Sequence, residues 1–92
     1  MQLRWTSAAA DDLEGITDYL FEKSPQNAAQ LIRKIYEAPS TLKNYPNQGR
    51  PGKKEGTREL VIAPLPYIVV YQIVGDVVYI VRILHGAQDW PR

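Results

Sequence analysis

The sequence has 92 residues, a net charge of +1 and no cysteine. A chain of this length buries only about 60–65% of its unfolded surface, and without cysteine it has neither a disulfide framework nor a thiolate zinc site. The near-neutral total conceals an asymmetry, because residues 1–23 carry five acidic and two basic residues, whereas residues 24–58 carry seven basic and two acidic ones. The middle third is therefore a candidate surface for a polyanion.

The first third of the chain predicts a strand followed by a helix. Gln2–Trp5 has the composition of a short strand, and Ser7 is a suitable N-cap for a helix over residues 8–22. Asp12 is expected to be a solvated residue on the flank of this helix. The helix is indicated by apolar residues that recur at helical spacing, namely Leu13, Ile16 and Leu20.

A second helix is predicted directly after the first one. Ser24 can cap it, and Pro25 fits the first helical position, where a missing N–H group costs nothing. Pro39 predicts a kink or break near residues 38–40, because proline removes a backbone hydrogen bond and clashes with the preceding turn. Pro46 ends the helical region. Since the linker is very short, the two helices should form an antiparallel hairpin.

Three strands are predicted after a loop rich in proline and glycine. They cover Arg58–Ala63, Tyr67–Val74 and Val77–Leu84, and the pair Gly75-Asp76 is a two-residue hairpin signal. The order is β-α-α-β-β-β. It predicts a single α+β domain over residues 1–92, with an antiparallel sheet and the helical hairpin packed on one face of it.

The apolar stretch from Leu60 to Leu84 is long enough to span a bilayer. It is nevertheless broken by Pro64, Pro66 and Arg82, and its Val, Ile and Tyr content favours strands. The N-terminal residues contain no apolar segment of signal-peptide length. A cytoplasmic protein with no membrane segment, no metal site and no cofactor is therefore expected.

The strand Tyr67–Val74 is apolar on both faces except at Gln72. A strand with one solvated face should alternate, so either the second face is covered or it forms a groove for a partner. Near the end of the sequence, Trp90 either closes the core or anchors a partner. The candidate partner-binding residues are Tyr67, Val69, Tyr71 and Trp90.

The element order, the basic segment "GRPGKKEGTREL" and the segments "PYIVVYQI" and "VYIVRILHGAQDW" together resemble the RelE/ParE superfamily. Its members are the toxins of bacterial type II toxin–antitoxin modules, and the resemblance covers essentially the whole chain. It implies a growth-inhibiting toxin that is neutralised in a hetero-oligomer by a cognate antitoxin. A tail of the antitoxin that folds on binding would cover the apolar second face of the sheet.

The superfamily acts on two kinds of target. RelE-like members cleave mRNA in the ribosomal A site, and ParE-like members inhibit DNA gyrase. RelE-like nucleases typically carry an arginine where Ile68 stands here, and a basic segment where "GAQDW" follows the last strand. The resemblance therefore favours a ParE-like toxin that binds a macromolecular target, plausibly DNA gyrase, with a ribosome-dependent mRNA endonuclease as the alternative. A third possibility is a detoxified module that still pairs with its antitoxin and regulates transcription.

The nuclease alternative needs groups that move protons and cations that stabilise the phosphorane charge. His85 would be the proton donor, and Arg58 and Arg82 would stabilise charge. RNA phosphates would meet three further cations, namely Arg50, Lys53 and Lys54.

Each of these residues also has a structural interpretation. Arg82 is the one charge in an apolar strand, so function, antitoxin recognition and a structural ion pair all remain open for it. Arg82 and His85 are three positions apart, which places them on opposite faces of a regular strand. A bulge or strand end near Leu84 would be needed to bring them together.

Overall fold

The computed structural model describes residues 1–86, 88, 90 and 91 and confirms an α+β fold. The elements in chain order are β1 (Gln2–Trp5), α1 (Ser7–Lys23), α2 (Ala28–Glu37), a 3-10 helix (Ala38–Lys43), β2 (Arg50–Pro51), β3 (Arg58–Val61), β4 (Tyr67–Val74) and β5 (Val77–His85). No helix within this part of the chain is long and apolar enough to cross a membrane.

The five strands form one mixed sheet with the order β1-β5-β4-β3-β2. The expectation of a purely antiparallel sheet was wrong for one pair, because β1 runs parallel to β5 while the other pairs are antiparallel. The N–H group of Gln2 donates to the carbonyl of Asp76, and that of Thr6 donates to Ile80. The partner of β1 lies at the far end of the sequence, so no local pattern signals its direction.

Both helix starts differ from the predicted ones. Thr6, not Ser7, is the N-cap of α1, because the Thr6 hydroxyl accepts from the N–H group of Ala9 at 3.1 Å. The second helix begins at Ala28, with Asn27 and not Ser24 at its N-cap position. The N–H group of Ser24 donates to the Leu20 carbonyl at 2.7 Å, so Ser24 closes the last turn of α1.

The break predicted at Pro39 is confirmed, since α2 ends at Glu37 and the chain continues as a 3-10 helix. Pro39 itself is fully buried. The hairpin at Gly75-Asp76 is also confirmed, with Gly75 in the left-handed region at a φ of 60°.

The main core lies between the helices and one face of the sheet. Its fully buried side chains come from both layers and include Ile35, Leu42, Val69, Tyr71, Val78 and Ile80. Val70 and Leu84 are buried as well, although they alternate with core residues along their strands. The second face of the sheet is therefore partly covered by the chain itself. Trp90 is half-buried there and lines, with Ile68 and Leu84, a small cavity of about 90 Å³.

Candidate functional site

Arg58, a candidate catalytic cation, holds the loop that precedes β2. Its guanidinium donates to the carbonyl oxygens of Gly49 at 2.6 Å and Asn47 at 3.0 Å. Its Nε is buried and has no hydrogen-bond partner among the described residues. The side chain thus faces backbone carbonyls of its own fold, which makes Arg58 a structural anchor of this loop.

Arg82, the second candidate cation, forms a bidentate ion pair with Asp12. The Nε–Oδ2 distance is 2.7 Å and the Nη2–Oδ1 distance is 2.9 Å. The hydrogen bonds to the carboxylate raise the pKa of Arg82, against the opposing effect of burial. Of the alternatives left open for Arg82, a structural ion pair is the one present in the structure.

Asp12 was expected to be solvated, and this expectation was wrong. Its Oδ2 also accepts the N–H group of Ile83 at 2.9 Å, so one carboxylate binds both a side chain and the backbone of β5. The reason is that β1 pairs with β5 only as far as Ile80, which leaves the edge of β5 open beyond that residue. The Asp12 carboxylate accepts a backbone hydrogen bond of β5 that a neighbouring strand would otherwise accept.

Arg82 and His85 do not converge. The strand β5 has a bulge, but it lies at Val81, between the paired residues Ile80 and Arg82. From Arg82 to His85 the register with β4 is regular, so the two side chains alternate to opposite faces. The bulge therefore precedes both residues, whereas an Arg–His catalytic pair would need an irregularity between them.

His85 packs edge-on against Tyr67, with the ring centroids 5.8 Å apart and the planes at 89°. Its backbone N–H group donates to the side-chain oxygen of Gln88 at 2.6 Å. The residue is exposed at the end of β5. It remains accessible at this position.

The three candidate RNA-binding cations lie close to β2. Arg50 pairs with Glu59, which is buried, through Nε and Nη2, each 3.1 Å from Oε1. The ammonium of Lys54 lies 6.0 Å from the centroid of the Trp90 ring, at the outer limit of a cation–π contact. Lys53 and Arg50 both line the small cavity beside Trp90. Arg50 is thus already engaged by the fold, whereas Lys54 is exposed.

The candidate partner-binding residues of β4 lie in the main core. Tyr67 is 6% exposed, and Val69 and Tyr71 are fully buried under the helices. The Tyr71 hydroxyl accepts from the Gly49 N–H group and donates to the Pro46 carbonyl. These three residues therefore offer almost no surface to a partner. The sequence showed that both faces of β4 are apolar, but not which face the helices cover.

A groove between α1 and the end of β5 was not predicted from the sequence. It has a volume of about 490 Å³. Its apolar lining comes from Ile16 and Tyr19 of α1 and from Tyr67 and Ile83 of the sheet, and the acidic Asp11 lies at its rim. Burial and the nearby Tyr19 raise the pKa of Tyr67, so this phenol stays neutral at physiological pH.

Gly15 lies in the middle of α1 and also lines this groove. A glycine inside a helix costs about 1 kcal/mol relative to alanine. A Cβ atom at this position would meet no other atom within 4 Å, so no packing contact requires the glycine. The sequence signal that could have drawn attention to the groove is this glycine within a helical pattern.

A second surface groove lies beside the pair Trp5 and Tyr36, whose ring centroids are 5.8 Å apart and whose ring planes are inclined by 20°.

Among the described residues, no three histidine, aspartate or glutamate side chains converge as metal ligands would. The arrangement of β5, α1 and the β2 region contains an open groove and three arginines, Arg50, Arg58 and Arg82, that are held by groups of the fold.

The family model described as "ParE toxin of type II toxin-antitoxin system, parDE" matches residues 3–90. The chain belongs to this ParE toxin family.

Two similar proteins are both named as toxins, and the name of one of them contains RelE. The chain is 41% identical to "Putative toxin Y4kP" of Sinorhizobium fredii, over 99% of this chain and 94% of that protein. It is 38% identical to "Toxin RelE2" of Caulobacter vibrioides, over 95% of this chain and 97% of that protein. The solved structure titled "Chromosomal ParDE TA system from P. aeruginosa" superposes with a TM-score of 0.86 at 32% identity, covering 92% of this chain and 95% of that chain.

Proposed function

We propose that this toxin arrests growth by binding DNA gyrase in the cytoplasm and that its cognate antitoxin relieves the arrest within a hetero-oligomer. The observation that carries the proposal is the engagement of the candidate catalytic cations by the fold itself. Arg82 is held by Asp12, and Arg58 is held by backbone carbonyls. A toxin that acts by binding needs no assembled catalytic group.

Cleavage of RNA makes a different demand on these side chains. A cation that stabilises a phosphorane must point at the reacting phosphate and keep its charge available there. Arg82 would have to leave a bidentate carboxylate pair, and Asp12 would then lose its partner on β5. Separating a partly buried ion pair costs several times more than separating an exposed one. This cost supports the binding mode of action.

The names of the relatives do not decide between the targets. The matched family and the superposed structure carry the name ParE or ParDE, whereas one of the two relatives is named RelE2. The choice of gyrase therefore rests on the residues of this chain, including Ile68 at the position where RelE-like nucleases typically have an arginine.

A ribosome-dependent mRNA endonuclease is the second candidate function. One observation favours it, because His85, Lys53 and Arg50 line the same small cavity beside Trp90. A histidine near two cations is a suitable arrangement for protonating a leaving oxygen next to a phosphate. In this alternative the reaction would take place at this cavity rather than at Arg82.

The test compares both activities on one preparation of toxin. Purified protein is added to DNA gyrase with relaxed plasmid, and separately to translating ribosomes with an mRNA whose ends are mapped by primer extension. We expect loss of supercoiling and intact mRNA. Cut mRNA with normal supercoiling would replace the proposal by the endonuclease.

The variant His85→Ala serves as the matched control for these two assays. Under the proposal it inhibits gyrase as the parent does, because its role is not chemical. Under the alternative it loses cleavage, whereas the folded protein still binds its antitoxin.

A further inference from the structure

The groove beside Trp5 and Tyr36 lies between α1 and the end of α2 and has a volume of about 540 Å³. We propose that the toxin binds DNA gyrase through this Trp5–Tyr36 groove, and that the groove takes an apolar segment of gyrase that carries an arginine or a lysine. The inference deepens the proposed function and rests on it for the identity of the target. The position of the site rests on the contacts of this chain.

The aromatic pair supports a docking site. Tyr36 on α2 stacks on Trp5 at the end of β1, with the ring centroids 5.8 Å apart. The stack leaves Tyr36 60% exposed and Trp5 half-buried, so both rings still present surface to solvent. Tryptophan and tyrosine are the residues that most often contribute strongly to binding when a partner excludes water from them. Because the two rings already hold each other, little side-chain freedom is lost when a partner binds.

The part of the lining that comes from α1 is apolar. Ala10, Leu13 and Thr17 line the groove, and the Thr17 hydroxyl donates to the Leu13 carbonyl at 2.8 Å, so its hydrogen bond is made within the helix. Leu13, Thr17 and Phe21 are spaced by four residues and form one row on α1. Phe21 is 51% exposed and prolongs the lining along the helix. The row spans about 12 Å, the length of about two turns of a partner helix.

Charge defines the kind of segment that fits. Glu14 is the charged residue among the described residues that line the groove, and it forms no ion pair within this part of the chain. Asp11 and Asp18 lie on either side of it along α1 and are likewise exposed and without an ion pair among the described residues. All three lie beyond the first turn of α1, so the helix dipole does not compensate their mutual repulsion. A guanidinium or ammonium group gains from both a carboxylate and an aromatic face.

The same charges disfavour a second copy of the toxin as the occupant. In a symmetric pair, the same surface patch of both copies meets. Each copy would bring its Glu14 to the interface, and no cation is present among the described residues that line the groove to neutralise it. A basic segment of another protein meets no such repulsion.

The experiment measures binding of the purified toxin to the assembled DNA gyrase holoenzyme by surface plasmon resonance and, with the same preparations, inhibition of plasmid supercoiling. Tyr36→Ala removes the exposed ring from the groove. We expect at least about tenfold weaker binding and a matching rise in the toxin concentration that halves supercoiling. The control Tyr45→Ala makes the same change at a tyrosine that is 68% exposed outside the groove, and it should leave both measurements unchanged.

The charge is tested separately. Glu14→Lys should weaken binding to gyrase by about tenfold at low salt and less at high salt, because exposed charges are screened. Glu55→Lys makes the same change in net charge in the exposed loop before β3 and should have no effect. If Tyr36→Ala and Glu14→Lys both inhibit gyrase as strongly as the parent, the docking site is wrong and the proposed function stands. A parent toxin that does not bind gyrase removes both.

Two further measurements assign the groove to its occupant. Calorimetric titration with the cognate antitoxin should give the same affinity for Tyr36→Ala as for the parent, and the free variant should sediment as the parent does. If Tyr36→Ala loses affinity for the antitoxin and keeps full inhibition of gyrase, the groove belongs to the antitoxin and the proposal is overturned. A change from dimer to monomer in Tyr36→Ala would assign the groove to a second copy instead.

Discussion

The α1–β5 groove and the β2–β3 region carry charges of opposite sign. The charged side chains of the β2–β3 region mostly contact other groups of the fold, whereas those at the rim of the groove are exposed. Around β2, the basic residues Arg50, Lys54 and Arg58 face Glu59, the Trp90 ring and backbone carbonyls. In the groove, Asp11 and Tyr19 are exposed and Gly15 leaves space. The larger cluster, which is the basic one near β2, thus largely contacts the fold itself. The smaller, acidic one in the groove is exposed to solvent. The partner of each charge, rather than the number of charges, distinguishes a structural cluster from a candidate site.

The largest loss of stability is expected for Asp12, the charged residue of the groove that binds other parts of the fold. Asp12→Ala should lower the free energy of unfolding by about 2–3 kcal/mol, because it leaves Arg82 and the Ile83 N–H group without their acceptor. The value lies below that of a fully buried pair because both side chains keep some exposure. Urea denaturation measures it, and Asp11→Ala is the control. Equal losses in both variants would contradict the distinction between these neighbouring carboxylates.

A smaller loss is expected in the β2 region. Tyr71→Phe removes the hydroxyl that binds the Gly49 N–H group and the Pro46 carbonyl, and both partners lie close to the core. The expected loss is about 1–2 kcal/mol by urea denaturation. Under the proposed function, inhibition of gyrase per folded molecule should not change, since Tyr71 is fully buried. A loss of inhibition without a loss of stability would instead place Tyr71 in contact with the target.

The groove also predicts a gain in stability. Gly15→Ala should raise the free energy of unfolding by about 1 kcal/mol, because alanine favours the helix and its Cβ meets no other atom. Thermal unfolding of the free toxin checks the sign. A decrease would show that the fold itself needs the glycine at this position, against the open space around its Cβ position.

Local signals in the sequence predicted the parts of the fold that depend on neighbouring residues. Pro39 breaks α2 and Gly75-Asp76 makes the hairpin, because each acts through its own backbone conformation. The parallel pairing of β1 with β5 had no such signal. Asp12 was misjudged for the same reason, since its partners lie about seventy residues away along the chain.

The candidate site shows the same division. The sequence identified Arg82 as a charge that must either pair or reach solvent, and in the structure it pairs with Asp12. It also showed that both faces of β4 are apolar. Which face the helices cover depends on the packing of distant elements, so Tyr67, Val69 and Tyr71 were assigned to a partner although they are core residues. The groove beside Gly15 exists only after α1 has packed against β5.

The smallest expected effect concerns Tyr67 at alkaline pH, where the groove meets the core. Burial and Tyr19 raise its pKa above the ordinary value of 10.0, so the folded state favours the neutral phenol. The stability from this preference is fully present below about pH 10 and is lost as the pH rises through the raised pKa of the folded state. Tyr67→Phe should therefore lose less stability than the parent between about pH 8 and pH 11, as measured by urea denaturation. Tyr45→Phe, at a residue that is 68% exposed, should follow the parent. If Tyr67→Phe also follows the parent, the phenol of Tyr67 is as well solvated as that of Tyr45, and the inner wall of the groove is more open to water than its burial implies.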